Sequence, residues 1–151
     1  MANIFDAIDP DAFHAYACWA AILVIKMVLM SALTTLKRIG RKVFINPEDA
    51  ALAGAEVVQS DPEVERVRRA HQNDVENIPL FLAVGFLYLL TSPNVTLAVN
   101  LFRLVGIARI IHTLVYAVFV IRQPARLIAF FLALVPTIYM ALMTIITFLR
   151  F

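Results

Sequence analysis

Between Val64 and Leu90 the chain reads VERVRRAHQNDVENIPLFLAVGFLYLL, polar through its first half and apolar through its second. The apolar part, Ile78 to Leu90, reaches only about 20 Å as a helix, against a hydrocarbon core of roughly 30 Å. A helix that spans must therefore draw some of Arg69, His71, Asn73, Asp74 and Glu76 below the membrane surface. A charge there costs about 2.5–3.5 kcal/mol at the centre on the milder scales, and less toward the edge. Such groups must face protein, water or a polar ligand. This stretch predicts a polar ligand site built into a bundle of membrane helices.

Composition supports a membrane setting. Of 151 residues, 62% are hydrophobic and only 16% charged, against roughly 25% in soluble domains. The length suits one compact integral-membrane unit, residues 1–151, all-α, with four transmembrane helices. A net charge of +2 is too small to argue for a nucleic acid partner. Cys18 stands alone, so no intrachain disulfide can form and a cysteine-ligated metal site is not expected. The opening MANIFDAIDPD has acids and no Lys or Arg. Lacking the basic start of a cleavable signal, the first apolar helix is expected to stay as an anchor.

The expected helices cover 12–38, 62–91, 95–121 and 125–149. Lys26 interrupts the first. It lies too deep to snorkel, so a buried acidic partner is expected, Asp74 or Glu76. Asn46-Pro47-Glu48-Asp49 has the pattern of a helix start within the following loop. Ser60-Asp61-Pro62 followed by Glu63 and Glu65 is a second capped start. Pro79 and Pro136 predict kinks in the second and fourth helices. Lys37, Arg38, Arg41 and Lys42 crowd the first loop and Arg122 the third. The N-terminus and the Thr91–Asn94 turn carry no basic residue. The positive-inside rule puts the basic loops in the cytoplasm and both termini on the far side, with Arg150 the exception.

At 100 degrees per residue, Arg66, Asn73 and Glu76 fall within about 60 degrees of Arg69, while Arg68, His71 and Asp74 take the other flank. A helix polar on both flanks is best buried on both, which suggests subunits packing around it. Glu63 to Arg68 are read instead as a solvated face above the membrane. On the third helix Arg109, His112 and Tyr116 share a stripe at i, i+3, i+7. Arg109 is either one half of an ion pair with Asp74 or Glu76, or part of a pocket. Several Arg, an Asn, a Glu, a His and a Tyr suit a zwitterionic ligand with carboxylates and an amine, because guanidinium forks grip carboxylates in pairs. No metal box, Gly-rich phosphate loop or Ser-His-Asp arrangement is present.

The runs VERVRRAHQNDVENI, KVFINPEDA, ARIIHTLVYAV and QPARLIAFF resemble the MAPEG family of membrane proteins in eicosanoid and glutathione metabolism. Within it the microsomal glutathione transferase branch is most similar, with the prostaglandin E synthase branch as sister. The resemblance runs from Lys26 to about Phe131. It implies a four-helix protomer, a homotrimer, and glutathione as co-substrate bound between neighbouring subunits near the cytoplasmic side. It further implies an endoplasmic reticulum location or, as an alternative, the outer mitochondrial membrane. Carried over by motif, the glutathione contacts are Arg38, Arg68, Arg69, His71, Asn73, Glu76, His112, Tyr116 and Arg126. Arg126 falls on the family's thiolate-stabilising arginine, although a lone arginine at a helix start otherwise reads as a membrane anchor. Asp49 falls on an acid implicated in the synthase branch. The catalytic set implied is thus Arg126 and Asp49.

Three departures narrow the expectation. Leu127 replaces a serine of the synthase branch, Gln72 an arginine of it, and Ala50 a modifiable cysteine of some transferases. The expected activity is conjugation of the glutathione thiolate to hydrophobic electrophiles arriving through the lipid, with reduction of lipid hydroperoxides as a second activity. The alternatives are a synthase-like glutathione-dependent isomerase and a non-catalytic lipid-binding scaffold.

Overall fold

The computed structural model describes residues 8–149. Most of the acidic tail, and Arg150, lie outside them. Five α-helices follow in order: α1 Pro10–Arg41, α2 Pro47–Leu52, α3 Pro62–Leu89, α4 Val95–Thr113 and α5 Ala125–Phe148. No strand is formed among the described residues; a single bridge pairs Phe44 with Val57 in the loop around α2. The short helix at Pro47 is present. Asn46 does not cap it with its side chain, however, and donates instead to the Asp49 carboxylate at 3.0 Å.

Two of the long helices open on an aspartate cap followed by proline. Asp9 accepts from the backbone of Asp11 and Ala12, and Pro10 occupies the first turn. Asp61 does the same for Glu63 and Val64, with Pro62 in its first turn. The Val64 amide, helped by that of Glu63 and by Arg41 at 3.4 Å, holds the Asp61 carboxyl below its usual range. This cap is fully formed above the ordinary carboxylate range and is lost as pH falls through the lowered value. It also fastens the end of α1 to the start of α3.

The third expected helix is present but changes character before its end. The third does not run as an α-helix to Ile121. The α-helix ends at Thr113, a π-helical turn spans Leu114–Val118, and the chain is irregular from there to Pro124. The amide of Phe119 reaches back five residues to the Leu114 carbonyl at 2.8 Å, and that of Ile121 six residues to Val115 at 2.9 Å. α3 continues through Pro79 and α5 through Pro136.

α1, α4 with its π turn, and α5 are each long and apolar enough to cross a membrane. The core sits where they meet α3: Leu23, Ile78, Phe81, Phe102, Val105 and Met140 are buried together. α1 packs tightly on α4 at Gly106, where a Cβ would stand 2.0 Å from Trp19 Cε3. Nearby, the Tyr16 hydroxyl donates to the Leu82 carbonyl at 2.7 Å, tying α1 to α3.

The same helices meet in a buried charge cluster. Asp74 on α3 is wholly buried. One carboxylate oxygen is bound by Lys26 of α1, the other by Arg109 Nη2 of α4 at 2.5 Å. Thr113 Oγ1 stands 3.5 Å from the first. Lys26 therefore has the buried partner expected of it, and that partner is Asp74 and not Glu76. Arg109 is one half of an ion pair.

The arrangement ranks three substitutions. Asp74→Asn leaves two buried cations without a counter-charge and is expected to cost about 3–5 kcal/mol. Lys26→Met leaves the Arg109–Asp74 pair neutral and is expected to cost clearly less. Gly106→Ala drives a methyl into Trp19 and is expected to cost about 1–3 kcal/mol. Thermal unfolding of each variant in detergent checks the order; a Lys26→Met protein as unstable as Asp74→Asn would contradict it.

Candidate functional site

The buried cluster decides which way α3 faces. With Asp74 turned inward beside Val67, Ala70 and Ile78, the opposite flank points out of the protomer. Arg68, Arg69, Gln72 and Glu76 are all exposed there. Arg68 pairs with Glu65 at 2.7 Å, and Glu76 accepts from Gln72 Nε2 at 3.1 Å. An open groove of about 540 Å³ lies between this flank and α1. Arg38, Arg68, Arg69 and His71 line it together with Thr34 and Gln72. Arg38 comes from the last turn of α1, and its Nε is buried without a protein partner. Four of the residues singled out in the sequence thus meet in one groove.

His112, Tyr116 and Arg126 form a second group. The π turn carries Tyr116 alongside the start of α5. Gln123 accepts from the Leu127 amide at 3.2 Å, so the first turn of α5 is capped by a side chain just ahead of it. Arg126 sits in that turn with its guanidinium carbon 4.3 Å from the centre of the Tyr116 ring. A cation over an aromatic face is held there electrostatically without spending its N–H donors. His112 meets the same ring edge-on at 5.6 Å, and its Nδ1 is buried without a protein partner. Buried polar atoms are rarely left unpaired, so Arg38 Nε and His112 Nδ1 mark places where a polar group would be welcome.

Neither Tyr116 nor Arg126 lines the groove that holds Arg38, Arg68, Arg69 and His71. Asn73, between the two flanks of α3, accepts from Arg109 Nη2 at 2.9 Å. Asp49 lines a separate groove of about 630 Å³ with Arg38, Lys42 and Phe44, and so lies near Arg38 and not among the Arg126 group. Arg109, on the same stripe as His112 and Tyr116, gives its Nη2 to Asp74 and Asn73, while its Nε and Nη1 are buried without a protein partner among the described residues.

Sequence reasoning passed over the hydroxyl wall of the groove. Ser31, Thr34 and Thr35 line it along with Arg38. Their spacing, i, i+3, i+4 and i+7, is one face of a helix and could have been found. Chemically the groove offers guanidinium forks and hydroxyls for carboxylates and amide groups. Glu76 offers an anion for an ammonium. Arg126, in the first turn of a 24-residue helix, adds its charge to that helix's positive end.

The MAPEG family model matches residues 16–146. Human microsomal glutathione S-transferase 1 is 42% identical over 146 residues, 93% of this chain and 94% of its own. The pig protein of that name is 43% identical over the same length. Prostaglandin E synthase of Macaca fascicularis is more distant, 39% identical over 137 residues, 90% of each chain. With the family pattern covering the helices that carry both groups of polar residues, this chain belongs to the MAPEG family.

Proposed function

We propose that the protein is a membrane-bound glutathione transferase that joins the glutathione thiolate to hydrophobic electrophiles. The observation that carries this is the outward-facing polar flank of α3, Arg68, Arg69, Gln72 and Glu76, on a helix whose neighbours are apolar enough to span. Charged groups at that depth need a partner, and a tripeptide with two carboxylates and an ammonium supplies one. Similarity to proteins named microsomal glutathione S-transferase 1 over nearly the whole chain points the same way.

In this account α3 is the fourth span. Its 28 residues reach about 42 Å, enough to cross once its polar half is sheltered. The shelter comes from copies of the same chain in a homotrimer of single-domain protomers. Arg38, Arg68, Arg69 and His71 of one protomer then face His112, Tyr116 and Arg126 of a neighbour, with Asn73 and Glu76 between them. The positive-inside rule supports a site toward the cytosol, and the family resemblance supports the endoplasmic reticulum membrane or the outer mitochondrial membrane. Asp49 acts from the mouth of the site beside Arg38.

The guanidinium forks hold the two glutathione carboxylates, and Glu76 holds the ammonium. Arg126 faces the sulfur. A free thiol has a pKa near 8.5, so only about 3% is thiolate at pH 7. Lowering that by about two units ionises most of it and requires roughly 2.7 kcal/mol of differential stabilisation. One guanidinium at a helix start supplies this in a partly dry site. The population gain is only about 25-fold, and nucleophilicity falls with pKa. Holding thiolate and electrophile together must supply the rest. The proton leaves to water, the sulfur–carbon bond forms, and the leaving group departs as an anion. With a lipid hydroperoxide in place of the electrophile, the same thiolate attacks the terminal oxygen, the O–O bond breaks and the alcohol leaves after taking a proton; a second glutathione then reduces the resulting sulfenic acid, giving the disulfide and water.

Purified protein given glutathione and a chlorinated nitrobenzene is expected to yield the thioether and release chloride. Failure both to conjugate and to bind glutathione would overturn the assignment. Arg126→Leu is expected to abolish the ultraviolet thiolate band of bound glutathione at neutral pH. Turnover should fall at least tenfold, in keeping with the roughly 25-fold change in thiolate population. A band and turnover that persist would remove Arg126 from this role.

A further inference from the structure

The buried cluster does more than tie helices together: we infer that Arg109 is a positioning residue, which sets the side-chain amide of Asn73 so that its N–H groups are presented to glutathione. The inference rests on the proposed glutathione site.

Arg109 is 1% exposed and so presents almost no surface of its own to a ligand. Its Nη2 has two hydrogens. One is given to Asp74 Oδ1 at 2.5 Å and the other to Asn73 Oδ1 at 2.9 Å. A guanidinium only donates, so the Asn73 atom beside it must be the carbonyl oxygen. The amide nitrogen of Asn73 is thereby turned away from Arg109. Without this contact the two ends of the amide would be free to exchange, and the acceptor end would face a ligand carboxylate as readily as the donor end.

The guanidinium is itself fixed. Asp74 holds it from one side and is held in turn by Lys26, with Thr113 Oγ1 close by. Two cations around one carboxylate leave the cluster one positive charge in excess. The Asn73 oxygen is the neutral acceptor that helps to satisfy that excess. The chain of contacts Lys26–Asp74–Arg109–Asn73 thus runs from α1 through α3 and α4 and ends on a half-buried side chain at the proposed site. Asn73 is anchored from its backbone side too, since its carbonyl accepts from Asn77 Nδ2 at 2.8 Å.

A double-mutant cycle of Arg109→Met and Asn73→Ala, read by glutathione affinity and turnover, tests this. Arg109→Met keeps the Lys26–Asp74 pair neutral, so the protein is expected to assemble. It should weaken glutathione binding by about tenfold, the worth of one hydrogen bond to a charged partner, with turnover at saturation within about twofold. In the Asn73→Ala background the same change should have no further effect on affinity, because the residue it acts through is gone. Losses that simply add, or a fall in turnover without a fall in affinity, would overturn the positioning role while leaving the glutathione site intact. A wild-type protein that binds no glutathione would instead overturn the site, and the positioning role with it.

Should Arg109→Met fail to assemble, Asn73→Asp decides. It still accepts from Arg109 but has no N–H to offer and adds a negative charge, so it should bind glutathione at least as weakly as Asn73→Ala. Affinity equal to wild type would overturn the proposal.

Discussion

A carboxylate buried among helices in a lipid setting has to be compensated where it stands. Asp74 meets that need with Lys26 on one oxygen and Arg109 on the other, and this cluster organises the rest. It joins α1, α3 and α4 at one point. More importantly, it fixes the rotation of α3 about its own axis. Turning α3 by even one residue would carry Asp74 out of reach of both cations and bury Val75 or Asn73 in its place. Once that rotation is set, Arg68, Arg69, Gln72 and Glu76 have nowhere to point but outward.

That outward flank separates this protein from an ordinary helix bundle. Four polar side chains on one face of a helix packed among apolar spans are costly against lipid. The chain gathers complementary groups elsewhere: a groove wall of hydroxyls and Arg38 on α1, and the Tyr116–Arg126 stack beside the π turn. The irregular segment after that turn ends the crossing helix early and brings Gln123 to cap α5, which sets Arg126 in the first turn. The features that depart from regular helix therefore lie where the proposed chemistry needs a cation placed.

Much of this was legible in the residues, for physical reasons. Asp61 ahead of Pro62 announces a helix start through its cap chemistry, and that cap formed; Asp9 ahead of Pro10 carries the same signal and caps α1 two residues before the expected start. A lysine in mid-span demands a counter-charge, and it has one. Whether that would be Asp74 or Glu76 was not legible. The two sit about 200 degrees apart on α3, and a helix polar all round does not say which flank turns inward. The role of Arg109 stayed open for the same reason. The π turn was not legible either. Nothing in Leu114–Val118 distinguishes a five-residue hydrogen-bond span from a four-residue one. Asn46 had the cap pattern but binds the Asp49 carboxylate, an alternative that local sequence offers equally well. Candidate site residues close in sequence can be named by motif. Their division into two separate surface groups becomes visible only once the helices are packed.

The central claim is that those two groups complete one site across a boundary between copies of the chain. Mixed assemblies of two inactive variants test it most directly. Arg38→Leu disables the groove and Arg126→Leu the stack. If the groove of one protomer works with the stack of its neighbour, co-assembling the two variants regenerates some intact sites, and conjugation reappears above the level of either variant alone. If each protomer carries a whole site by itself, every site in the mixture stays broken. Activity no higher than that of the separate variants, in assemblies shown to contain both chains, would contradict the account.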